Sequence, residues 1–172
     1  MTMSADMLRR LQADDARLRQ TETREVPGNI PGFTSFYATG TWTPAFQGTA
    51  IAGTFTYPAS SQIGVWTRIG NQVFVHGYVQ ISAIAVAPTG SMQITGLPFT
   101  AANALVDSSL AIGLMDNINT SAGIVNFMAM VRLNTTVVWL SESFDNAAWA
   151  RYPAANFTNA AAGMELSGSY QV

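Results

Sequence analysis

The sequence predicts an all-β protein, an antiparallel sandwich of jelly-roll type preceded by a short N-terminal α-helix. Two observations carry this. From Gly40 onward, runs of β-branched and aromatic residues alternate with polar ones and are bounded by Gly, Pro, Asn and Ser clusters, with no amphipathic helix between them. The charges are also segregated: residues 1 to 25 hold ten of the eighteen charged side chains, leaving about one per eighteen positions in the remainder. Two physical objects therefore join near Pro27, and the division expected is residues 1–32 as helix and linker and 33–172 as the β-sandwich.

The N-terminal segment reads as a helix starting after Ser4, a suitable N-cap, with Asp6 near the positive end of the dipole. Asp6 and Arg10, Arg10 and Asp14, and Asp15 and Arg19 stand four apart, each pair worth about 0.2–0.5 kcal/mol on an exposed face. Val26-Pro27-Gly28 ends it. Leu8, Leu11 and Leu18 fall on one stripe with Met7 at its margin, but Asp15 interrupts it and the run is under three heptads. Such a helix is marginal alone. Met7, Leu8, Leu11 and Leu18 are thus the expected oligomerisation or anchoring contacts, made with other copies or with another protein.

In the body, the clearest strand is Val73 to Ser82. Val73, Val75, Val79 and Ile81 share one side, the core side, while Phe74, His76 and Tyr78 share the other, as a face covered by a neighbouring subunit would. Val65 to Ile69 precedes it across Gly70-Asn71, a two-residue loop suited to a type II′ hairpin turn. Further strands are expected at 39–46, 53–57, 91–95, 110–115, 124–133, 136–141 and 163–172, eight or nine in all, with Ala147-Ala148 read as loop or close-packing positions.

Composition excludes several functions. There is no Cys, which removes disulfides, thiolate zinc sites and cysteine nucleophiles. There is no Lys, and eight Arg against ten acids give a net charge of -2, too weak a field for nucleic acid. The first residues carry an acid and arginines where a secretory signal needs an apolar core, and no stretch approaches 18 apolar residues, so no membrane partner is expected. The single His76 sits mid-strand with no G-x-S-x-G elbow, so a Ser-His-acid triad is not expected. Glu142 and Asp145 are the one carboxylate pair resembling a glycosidase dyad, with a solvated loop as the plainer alternative. Asp116 to Asn119 lacks the remaining acids of a calcium loop and reads as a turn. Neither metal nor cofactor is expected, nor an enzyme. Of the four Trp, Trp149 beside Arg151 and Tyr152 is the one expected to be exposed, which makes these three the candidate ligand contacts.

Three blocks carry a resemblance: G-T-W-T-P-A-F at 40–46, W-T-R-I-G-N-Q-V-F-V-H-G at 66–77 and P-T-G-S-M-Q-I-T-G-L-P-F at 88–99. In order and spacing they resemble a β-domain found in tail-fibre, spike and head-decoration proteins of tailed bacteriophages, with Trp66 in place of a frequent Tyr and Gln72 in place of an aliphatic residue. The resemblance spans residues 39–172 and is strongest through Phe99. It implies a virion structural protein, usually homotrimeric, without cofactor or reaction. The expectation is a capsid decoration or head-fibre protein, held to the major capsid protein or another virion protein through its N-terminal segment. The alternative is a short tail fibre that recognises a host surface glycan.

Overall fold

The structure, a computed structural model, describes residues 36–103 and 106–172. The expected N-terminal helix, with Met7, Leu8, Leu11 and Leu18, lies outside the described residues. Twelve strands follow one another: β1 (Tyr37–Trp42), β2 (Ala45–Gly48), β3 (Thr54–Thr56), β4 (Gln62–Ile69), β5 (Gln72–Gln80), β6 (Ala83–Val86), β7 (Met92–Thr95), β8 (Ser108–Asp116), β9 (Ile124–Val131), β10 (Val138–Phe144), β11 (Ala147–Arg151) and β12 (Gly163–Gln171). A single 3-10 turn at Ala154–Asn156 precedes β12.

The antiparallel all-β class is as expected; the arrangement of sheets is not that of two separate jelly-roll layers. One continuous sheet runs β1-β4-β5-β12-β8-β9-β10-β7-β2, with β11 pairing β10 beside that path, and β3 and β6 form a separate ribbon. The strands at the two ends of the path, β1 and β2, are separated in sequence only by Thr43 and Pro44. The sheet must therefore roll until its ends nearly meet, as the inherent strand twist favours. Thr39 to Phe46, expected as one strand, is two for this reason. Pro44 has no N–H for a ladder and marks the corner at which the chain leaves one end of the sheet for the other.

Rolling gives the sheet one enclosed face. Val73, Val75, Val79 and Ile81 of the β5 segment are buried there with Ile94, Val131, Val138, Leu140, Met164, Leu166 and Tyr170. The β4–β5 hairpin forms as predicted, with Ile69 opposite Gln72. Gly70 takes φ +61, as the first central position of a II′ turn demands. The β3–β6 ribbon closes one side through Phe55, whose ring meets Phe157 edge-on at 5.8 Å, while Phe157 lies 4.8 Å from Phe46 of β2.

The three sequence blocks mesh with one another. Gly64 and Gly77 are paired across β4 and β5, and the indole of Trp42 lies on the slot they leave. A Cβ at Gly77 would come within 2.5 Å of the Trp42 ring. Trp42 Nε1 donates to the His76 carbonyl at 3.2 Å, which satisfies its one polar atom. Trp66 in turn covers Gly40 and meets Phe99 edge-on at 4.9 Å, and Arg68 lies over the same Phe99 ring at 5.2 Å. These motifs thus hold the chain's corner against the central hairpin.

β8 and β9 are joined only between Ser108–Leu110 and Ala129–Val131, whereas β12 pairs β8 along six positions and β10 pairs β9 along seven. The rolled sheet is thereby divided by a short seam into a half built on β4, β5, β12 and β8 and a half built on β9, β10, β7, β2 and β11.

Candidate functional site

In the second half, strand alternation sets the outer face. Val138 and Leu140 of β10 are fully buried, so Trp139 and Ser141 point away from the enclosed core. β7 pairs β10 only at Val138 and Trp139; beyond them β11 takes over, with Arg151 directly opposite Ser141. On the other side, Met130 stands opposite Trp139, and Arg132 follows the buried Val131.

This register brings two arginines onto one indole. The Arg151 guanidinium carbon is 3.7 Å from the Trp139 ring centroid and that of Arg132 is 4.9 Å away. The two cations are treated differently. Arg132 Nη1 donates to both carboxylate oxygens of Asp107, at 3.0 and 3.3 Å, and Asp107 also accepts from the Leu133 N–H. Arg151 has no carboxylate among the described residues. Its Nε and Nη2 are buried without a hydrogen-bond partner, and so is the hydroxyl of Ser141, which is 0% exposed. Burial first, and then the charge of Arg132, bring the Arg151 guanidinium down to about 10, which leaves it protonated at neutral pH. Unmade buried donors cost about 1–3 kcal/mol each. The Gln93 amide, opposite Trp139 on the same face, donates to Gln47 at 2.9 Å.

The expected ligand contacts divide at this point. Trp149, two residues before Arg151 on β11 and so on its face of the strand, is 53% exposed. Tyr152 is a correction: it is fully buried, its hydroxyl donates to the Asn119 carbonyl at 2.7 Å, and its ring meets Phe127 at 5.0 Å. The reason is alternation, since a residue adjacent to an outward Arg151 must turn inward. Burial, with the Glu142 carboxylate second, pushes its phenol well above the ordinary tyrosine range. Trp139, Ser141 and Arg132 were not singled out from the sequence. A usable signal existed, for only three arginines follow residue 25 and two of them meet here.

Glu142 and Asp145 do not form a carboxylate pair. Glu142 is 0% exposed and accepts from the N–H and hydroxyl of Ser121 at 2.8 and 2.6 Å, while Asp145 is exposed in the β10–β11 turn. Asn156 donates to the same Ser121 hydroxyl at 2.9 Å, so the cluster ties loops to β10. Among the described residues no three His, Asp or Glu gather as metal ligands would.

Phe74, His76 and Tyr78 share the outer face of the first half. Phe74 is exposed, His76 Nε2 meets Glu165 Oε1 of β12 at 2.7 Å, and Tyr78 donates to Gln80 at 3.0 Å. Ile63 and Val65 lie opposite Tyr78 and His76, and Leu114 lies opposite Glu165; all three are exposed. This face is aliphatic and aromatic, with one hydrogen-bonded polar pair, His76 and Glu165.

No protein-family model matches the chain, and no curated protein matches it. Among solved structures, the fold is similar to part of the Dettilon tailspike protein (gp208), with a TM-score of 0.64 and 22% identity over 78% of this chain and 24% of that one. The chain therefore spans about a quarter of that tailspike's length, and the likeness at this identity is one of fold.

Proposed function

We propose that this chain is a structural protein of a tailed-bacteriophage virion, a homotrimer that decorates the head and is held there by residues 1–32, with the β-domain displayed outward. The observation that carries this is the rolled β-domain shared with part of a tailspike protein, together with the three meshed blocks. The outer face of β4, β5, β12 and β8 supports self-association, since Ile63, Val65, Phe74 and Leu114 leave apolar area open around the hydrogen-bonded His76 and Glu165 side chains. Covering it is worth about 25 cal/mol per Å² of apolar surface before ordering costs. In this reading the protein catalyses nothing. Among the described residues the one fully buried acid, Glu142, is spent on Ser121.

A second reading, a short tail fibre that contacts a host glycan, is favoured by the Trp149–Arg151 face. Labelling the protein on intact particles separates the two: signal over the head supports decoration, and signal confined to the tail supports the fibre. Deleting residues 1–25 is expected to leave a folded β-domain that no longer joins particles, and undiminished occupancy would overturn the anchoring role.

A further inference from the structure

The Arg151 face carries more than general exposure. Its cation is unpaired among the described residues, and two donors of its guanidinium and the hydroxyl of the residue opposite it have nothing to bond. Its neighbour on the same indole, Arg132, shows what such a cation binds when a carboxylate is at hand: it donates to both oxygens of Asp107. A guanidinium presents planar, paired donors that match a carboxylate and are wasted on a neutral ligand. Both donors are buried against the Trp139 ring, so a ligand reaches them only when the Arg151 side chain turns off that ring. Trp149, half-exposed on the same face of β11, offers an unspent aromatic plane beside it.

We propose that Arg151, Ser141 and Trp149 form a binding site for an acidic sugar, with the carboxylate held by Arg151 and the Ser141 hydroxyl and the pyranose ring laid on Trp149. The inference deepens the glycan-contact reading and rests on it only in that the face must point outward. It commits to a ligand class, a carboxylate carried on a sugar ring, as in a uronic or sialic acid, and it names the neutral hexose as a poor ligand. The alternative source of a carboxylate, an acidic side chain of a second copy, is separated by the test.

The test titrates the full chain with sodium glucuronate, sodium N-acetylneuraminate, glucose and acetate, followed by tryptophan fluorescence and calorimetry. At least one of the two acidic sugars is expected to bind saturably and about tenfold or more tighter than both glucose and acetate. Arg151→Gln is expected to lose about tenfold in affinity, and Arg151→Lys to recover little of it, because a point charge does not replace the fork. Ser141→Ala should lose a smaller factor. Arg68→Gln, at the β4–β5 turn in the other half of the sheet, should leave binding unchanged, and circular dichroism verifies that each variant is folded. Equal binding of glucose removes the carboxylate from the proposal, and equal binding of acetate removes the ring; either overturns it. So does full affinity in Arg151→Gln. If no sugar binds and Arg151→Gln instead lowers the sedimentation coefficient, the occupant is a second copy and the site is not a sugar site. Particle labelling is read separately, so a failed titration with tail-located signal sinks this site and leaves the fibre reading standing.

Discussion

The two halves of the rolled sheet turn opposite kinds of surface outward from one shared core. On β4, β5, β12 and β8 the outer face holds Ile63, Val65, Phe74 and Leu114 around a His76–Glu165 pair that satisfies itself. On β10, β11 and the residue after β9 it holds two indoles, two arginines and donors left over. The first gains by excluding water and is indifferent to what apolar surface does so. The second gains only from a partner that brings negative charge in the right geometry. The difference teaches that exposure by itself does not define a site; unspent polar valence does.

The most severe way to break the comparison is to remove the core under both faces. Trp42→Ala empties the Gly64–Gly77 slot and is expected to cost about 3–5 kcal/mol, read from the denaturant midpoint. Both faces should then fail together, and survival of either would mean that the halves fold independently.

Alkaline pH probes the tyrosines beneath the two halves. Burial pushes Tyr170, whose hydroxyl donates to the Phe99 carbonyl, up to about 12, and holds Tyr152 higher still. A folded-state value above the unfolded value of about 10 means that stability is intact below pH 10 and falls as pH rises toward 12. Absorbance at the phenolate band should show this ionisation arriving with unfolding. Ordinary titration of Tyr152 and Tyr170 in the folded protein would contradict their placement.

Phe74→Glu sharpens the first half of the comparison. It should shift the protein from oligomer to monomer in sedimentation while sugar affinity stays within about twofold of the parent. An unchanged oligomer would remove this face from assembly.

Arg151→Met sharpens the second half. Losing a cation–π contact of about 0.5–2 kcal/mol is offset by removing two unsatisfied donors, so the net change is expected within about 1 kcal/mol. A large loss on melting would show that Arg151 is a structural clamp.

His76→Gln should be the smallest effect, under about 0.5 kcal/mol, because both partners are substantially exposed and screened.

Much of the first half was legible in sequence because it is local. The alternation of Val73 to Ile81 and the Gly70-Asn71 turn fix a hairpin and its inward residues with no outside information. The second half was less so. Ala147-Ala148 reads as loop or close-packing positions since alanine carries no strand preference, and it becomes the start of β11 only because β10 extends past β7 and leaves an edge to pair. β6 at Ala83–Val86, a short apolar run, exists as a strand by pairing with β3. Trp149 was correctly placed outside and Tyr152 wrongly so, because a stretch read as loop has no alternation to apply.

What the sequence determined alone is what a side chain and its near neighbours decide: the all-β class, the hairpin turn and the segregation of charge. What tertiary structure decided is everything that depends on which strands meet. The end of β9 brings Arg132 to Trp139 across a single strand pair, β11 brings Arg151 to the same ring, and Asp107 reaches only one of the two. Hydrogen-bond partners and burial are set by pairings between residues far apart in the chain, and local periodicity holds no record of them.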